Sequence, residues 1–162
     1  ISLGHRKIAR LRLIGENASE QETNRGYDEF LRVASEYGIR DSVRYCHAPD
    51  WERLELRIRE LVGEGFTGFI AIFIDGAPKV IDAIRNCGKR IPEDISLITS
   101  ELTDICCWMT PELTTINQNL DALAAETVAQ LLARIRAPHS PRANSWLPTA
   151  LIVRNSVGRW NG

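Results

Sequence analysis

Apolar positions along the chain recur with two alternating periods. Lys7 to Ile14 is a short apolar, Arg-punctuated run of strand type, followed by a turn at 15–18 and by Ser19 with Glu22, the spacing of a capping box. Tyr27, Phe30, Leu31, Ala34 and Tyr37 recur at helical spacing, which predicts a helix from about Glu20 to Tyr37 with Gly38 placed to end it. The same grammar then repeats. Val43 to His47 reads as a strand, Asp50 as a helix cap, and Trp51, Leu54, Ile58, Leu61 and Val62 as a buried helical stripe closed by Gly63 and Gly65. Gly68 to Ile74 is apolar on both faces, as a central parallel strand requires. A helix carrying Val80, Ile81, Ile84 and Cys87 ends at Gly88, and Ile95 to Ile98 forms the fourth strand.

Strands separated by helical patterns imply βαβ units with right-handed crossovers. The expected fold is therefore α/β of flavodoxin-like type, a mostly parallel sheet with helices on both faces. Beyond Pro111 the pattern changes. Leu113 to Ile116 can pair as a strand, Leu120, Leu123, Thr127, Leu131 and Ile135 mark a long amphipathic helix, and Pro138 to Pro141 break it. Ser145 to Leu147 and Ala150 to Val153 read as two short strands around Pro148.

With 162 residues, 44% apolar and 25% charged, the chain is long enough for one domain that buries roughly 70% of its unfolded surface. The net charge is −1 and basic residues are interspersed with acids, so no basic stripe offers a nucleic-acid footprint. No apolar run approaches a membrane span, and the opening residues do not read as a signal peptide. A cytoplasmic location is expected. Cys46, Cys87, Cys106 and Cys107 show neither C-x-x-C nor zinc-type spacing, so reduced thiols are expected and no metal or cofactor.

Catalytic motifs fail on context. Gly63 to Gly68 matches the dinucleotide fingerprint in letters, but it follows a helix and precedes a strand, so no helix N-terminus would face a pyrophosphate. There is no P-loop and no nucleophile elbow, and His5, His47 and His139 are scattered without triad or metal spacing. An enzyme is not expected, and His5 reads as structural. Parallel α/β sheets bind ligands at the carboxyl ends of their strands. That edge would collect Asn17 and Ser19 after the first strand, His47, Asp50 and Trp51 after the second, Ile74 and Asp75 after the third, and Thr99, Ser100 and Glu101 after the fourth. An aromatic, hydroxyls and carboxylates on one rim suit a polar, ring-bearing small molecule. The plainer roles stand beside this one: Asp50 and Ser19 as helix caps, Trp51 as core.

Four stretches, in order and spacing, resemble the effector-binding region of the LacI/GalR transcriptional repressors: Leu3 to Ala9, Arg90 to Ile98, Leu113 to Gln118, and Leu147–Pro148 with Leu151 to Ser156. The resemblance spans essentially the whole chain. It implies a two-lobed sensor of periplasmic-binding-protein type that dimerises, binds sugars or nucleobases between its lobes and touches DNA through an N-terminal helix-turn-helix. On this reading residues 1–110 are the core of the C-terminal lobe, 111–147 the crossover that completes the other lobe, and 148–162 the return. The headpiece and first lobe are absent from this chain.

Carried over by position, the resemblance puts Asn17 and Ser19 at ligand contacts after the first strand, Trp51 where an aromatic stacks on ligand, and Gln118 at a crossover contact. Glu101 falls where an Asp grips hydroxyls. Three departures stand out: Thr23 replaces a ligand-clamping Arg, Ile74 replaces the Asn of an Asn-Asp pair whose Asp is Asp75, and 99–102 (Thr-Ser-Glu-Leu) stand for Gly-Phe-Asp-Asp. A missing bidentate Arg removes hydrogen bonds worth about 1.5 to 3 kcal/mol, which argues against an anionic or simple sugar effector. The expected role is thus a ligand-sensing, dimerising module of a LacI-type regulator. Its effector would be sugar-like or nucleoside-like, its partner a second copy, and its DNA contact only through the missing helix-turn-helix, with no membrane involved. The alternatives are a solute-binding protein of a transport system or, given Thr23 and Ile74, a degenerate interaction-only module.

Overall fold

Ten regular elements follow one another in the computed structural model, which describes the chain outside residues 15–25, 73–75, 102–103, 142–143 and 161–162 and omits the side chains of 101 and 104. They are β1 (Ile8–Leu13), α1 (Tyr27–Glu36), β2 (Val43–Ala48), α2 (Trp51–Gly63), β3 (Gly68–Ala71), α3 (Ala77–Asn86), β4 (Ser96–Glu101), β5 (Thr114–Asn117), α4 (Leu120–Arg136) and β6 (Ala150–Ile152). Short 3-10 turns at Arg40–Ser42 and Asp104–Trp108 connect them.

The strands form one sheet in the order β2-β1-β3-β4-β5-β6. The first five run parallel, and β6 returns antiparallel to β5. The expected flavodoxin-like order is thus present, with an antiparallel edge strand added to it.

Alternation along β1 decides what each sheet face meets. Ala9 and Leu11 are fully buried on the side of α2 and α3, in a core with Leu54, Ile58, Leu61, Phe69, Val80, Ile84 and Leu97. Ile8 points the other way, into a smaller cluster beneath α1 with Ala34, Ile39 and Val43. Arg10 and Arg12 continue that second face, where Arg10 lies 5.3 Å from the Tyr45 ring centroid and donates to the Gly26 carbonyl at 2.6 Å. α1 covers this face only over β1 and β2. The rest is an apolar groove of about 420 Å³ lined by Ile70, Ile98, Leu151 and Val153 among others.

Several expectations change on contact with the fold. The helix expected from Glu20 begins at Tyr27, with Gly26 before it left-handed at φ 71°; the expected start at 20–25 lies outside the described residues. Strand three ends at Ala71, although the Ile72 amide still reaches the Leu11 carbonyl at 3.4 Å. Strand four runs on to Glu101 because 98–101 pair with 114–117. Ser145 to Leu147 is not a strand: the Ser145 hydroxyl meets Gln130 and Glu126, which ties this segment to α4 instead of to the sheet, and Trp146 is 95% exposed.

The chain ends are stitched into the sheet by buried hydroxyls. Ser156 donates to the Leu97 carbonyl at 2.6 Å and accepts the Thr114 amide at 2.8 Å, so one side chain ties the segment after β6 to both β4 and β5. α4 contrasts with this, since none of its residues is buried. Replacing Ser156 by Ala should cost about 1–3 kcal/mol, because it leaves a buried amide and carbonyl unpaired. Ile135→Glu, on the 65%-exposed face of α4, should stay within about 0.5 kcal/mol. Urea unfolding of both variants checks the contrast; equal effects would mean that α4 belongs to the cooperative core.

Candidate functional site

The order β2-β1-β3 reverses direction at β1, so the crevice between the carboxyl ends of β1 and β3 is the topological switch point at which such sheets bind ligands. The two segments that leave these strand ends contain Asn17, Ser19 and Thr23 on one side and Ile74 and Asp75 on the other. All five lie outside the described residues. The remaining candidates flank the crevice. Trp51 opens α2 immediately after β2, Glu101 closes β4, and Gln118 follows β5. With strands about 4.8 Å apart, the tips of β2 and β4 stand roughly 14 Å from each other, enough for one small molecule between them.

Backbone register joins two of these residues. Glu101 pairs with Asn117, so Gln118 emerges one position beyond the end of β4, and it is exposed. The chain turns sharply there: the Asn117 side-chain carbonyl accepts the Asn119 amide at 2.7 Å, and Asn119 is left-handed with φ 52° and caps α4 at Ala122. An Asx turn followed by an Asn cap is a local device that Asn side chains supply well. Sequence reading singled out Gln118 but passed over this pair.

Asp50 and Trp51 take the plainer roles considered for them. The Asp50 carboxylate accepts the Arg53 amide at 2.8 Å and so caps α2. Trp51 is half-buried and packs against the main core, while the Lys79 ammonium sits 5.0 Å from its ring centroid. The indole also lines a groove of about 280 Å³ between α2 and α3, with Glu52, Glu55 and Asp82 nearby. Lys79 in the first turn of α3 was not foreseen, because a lone lysine carries no sequence signal of its partner. The structure therefore gives Asp50 a capping role and sets Trp51 between core and rim.

Below the rim the floor is polar but satisfied. Thr99 is fully buried and donates to the Ala71 carbonyl at 2.8 Å, which bridges β4 and β3 near the crevice. Burial raises the Cys46 thiol above its ordinary range and keeps it protonated. No disulfide joins the four cysteines. Among the described residues no helix is long and apolar enough to cross a membrane.

Comparison with known proteins agrees with this architecture. Residues 1–157 match the periplasmic binding protein-like domain family. Among individual proteins, a probable opine utilization operon repressor from Rhizobium rhizogenes is 35% identical over 92 residues, covering 56% of this chain and 46% of its own length. The HTH-type transcriptional repressor PurR of Pasteurella multocida is 27% identical, covering 97% of this chain and 47% of its own. A solved LacI family transcriptional regulator from Enterococcus faecium, with bound ribose, superposes with a TM-score of 0.82 at 28% identity, over 99% of this chain and 59% of that one. The chain thus spans about half the length of the relatives it matches.

The cap can be tested separately from the rim. Asp50→Ala should destabilise the protein by about 1 kcal/mol, whereas Asp50→Asn, which caps nearly as well, should cost only a few tenths. Equal losses in urea unfolding would assign the role of Asp50 to charge and not to capping.

Proposed function

This chain belongs to the periplasmic binding protein-like domain family, as part of a LacI/GalR-type effector-binding domain, and we propose that in the complete protein it forms one wall of a ligand clamp in a transcriptional regulator. The carrying observation is the path of β5, α4 and β6. The chain leaves the sheet after Asn117, builds a 17-residue helix that buries nothing, and comes back as β6 beside the strand it left. A helix with Leu131, Leu132 and Ile135 exposed needs another surface, and a second lobe supplied by the rest of the protein fits that need.

The clamp residues on this wall would be Asn17, Ser19, Thr23, Trp51, Ile74, Asp75, Glu101 and Gln118. Asp75 and Glu101 would accept hydroxyl hydrogen bonds, Trp51 would cover an apolar ring face, and Gln118 would report from the crossover. Thr23 and Ile74 contribute neither charge nor a bidentate fork, so a neutral, hydroxyl-rich effector of sugar or nucleoside class suits the wall. The ribose-bound relative supports the sugar class. Repressors among the relatives support a regulator over a transport protein. A homodimer would carry the response to a DNA-binding headpiece outside this chain, and no catalysis is involved.

Calorimetric titration of the full-length protein with neutral sugars and nucleosides tests this. Binding is expected, with a thermal shift equivalent to about 2.7 kcal/mol at a hundredfold excess over Kd. Asp75→Asn and Glu101→Gln should each weaken affinity about tenfold or more, as loss of a hydrogen bond to a charged group does, without lowering the melting temperature of the free protein. No response to any member of either class would overturn the reading.

A further inference from the structure

His5 sits at the junction of four separate stretches of chain and is 5% exposed. Its Nδ1 lies 2.9 Å from the Thr67 hydroxyl at the start of β3, and its Nε2 lies 3.1 Å from the Gly158 carbonyl and 2.7 Å from the Ser96 hydroxyl that opens β4. The Ser96 hydroxyl in turn accepts the Gly158 amide at 3.0 Å. The hydroxyls of Thr67 and Ser96 can each donate or accept, so a neutral imidazole has both nitrogens satisfied in either tautomer. Gly158 is fixed in this seat from behind, since a Cβ there would stand 3.0 Å from the Pro92 carbonyl oxygen. Two residues on, the Trp160 amide closes the junction on the Leu3 carbonyl at 2.8 Å.

We infer that His5 is a proton-sensitive latch that holds the segment after β6, and through it the return strand, against the base of the sheet. The groups facing the ring from β3, β4 and the C-terminal segment are two hydroxyls and a peptide, all uncharged. From its own segment the Arg6 guanidinium, a like charge, donates to the His5 carbonyl at 3.1 Å. Among the described residues no carboxylate pairs with the ring. A second proton on His5 would therefore put a buried positive charge among neutral partners, and burial is the chief reason its pKa lies below the ordinary histidine value. The sign follows directly. The closed latch binds a proton less tightly than the open one, so opening becomes easier as pH falls below the ordinary histidine value and levels off below the lowered one. The device belongs to the fold and acts whichever effector is bound.

Hydrogen exchange of the full-length protein, corrected for intrinsic rates and compared at about pH 7.5 and about pH 5.5, reads it out. Amides from Ser156 to Trp160 should lose about tenfold more protection than those of β1 and β3. His5→Gln, neutral throughout, should abolish the difference. The His5 ring resonance, assigned against His47→Gln and His139→Gln, should titrate below the ordinary histidine value, a readout that does not depend on His5→Gln folding. A His5 that titrates at or above the ordinary histidine value, or the same loss of protection in a folded His5→Gln, would overturn the inference.

Discussion

Double pairing of β5 is the constraint on which the rest of the molecule turns. Its parallel ladder to β4 completes the run of parallel strands, and its antiparallel ladder to β6 occupies the other edge. A strand of four residues, Thr114–Asn117, therefore has both neighbours fixed. With Thr114 and Thr115 buried and Arg154 donating to the Leu113 carbonyl at 2.7 Å, neither ladder can slip without exposing unpaired backbone. Whatever lies beyond Asn117 must start and finish at this edge. That is why the chain can carry α4 away from the core and still return in register.

The two faces of the sheet are covered unequally, and this follows from connection handedness. Moving from β1 to β2 and then back across β1 to β3 puts α1 on one face and α2 on the other, and the further steps keep α3 with α2. The α2/α3 face is closed by the larger core. Among the described residues the α1 face is closed over β1 and β2 but stays open over β3 to β6, where the segments 1–5 and 153–157 come to lie. His5, Ser96 and Ser156 are the polar fastenings on that side. Hydrogen bonds do there what a second helix does elsewhere, which makes that side the softer of the two.

The parallel core was legible in the sequence because its signals are periodic. A both-faced apolar run such as that starting at Gly68 admits few readings, and Gly38 and Gly88 end helices with φ of 66° and 70°, as left-handed caps do. The misreading of Ser145–Leu147 has a physical cause: three residues with one apolar pair fit a strand by composition, and only the long-range bonds of Ser145 to Glu126 and Gln130 decide against it. Arg10 and Arg12 on β1 were visible as charges, but the Tyr45 ring that lets the sheet tolerate Arg10 lies 35 residues away in sequence, on the neighbouring strand. Of the candidate residues, Glu101 ends β4, and Trp51 and Gln118 follow the ends of β2 and β5. Position along the chain could not foresee Lys79 over the Trp51 ring, because that contact depends on how α2 and α3 lie side by side.

A clamp of the proposed kind, with one wall in this chain, would also limit where regulation can act. A ligand shifts a conformational equilibrium only by the difference between its affinities for the two states. Contacts confined to one lobe are the same in the open and closed forms, so they add affinity and no switching. Under the proposed reading, the residues of this chain that can carry a differential are those whose position changes as the lobes move: Gln118 and the Asn117–Asn119 turn at the exit, and β6 with its anchor at the return. Typical coupling energies of about 1–3 kcal/mol are comparable to one or two buried hydrogen bonds. The Ser156 bridge and the His5 junction lie on that return path, so their strength is of the right order to set how readily the lobes move. The polar rim would decide what binds; the exit from β5 and the return through β6 would decide what binding does.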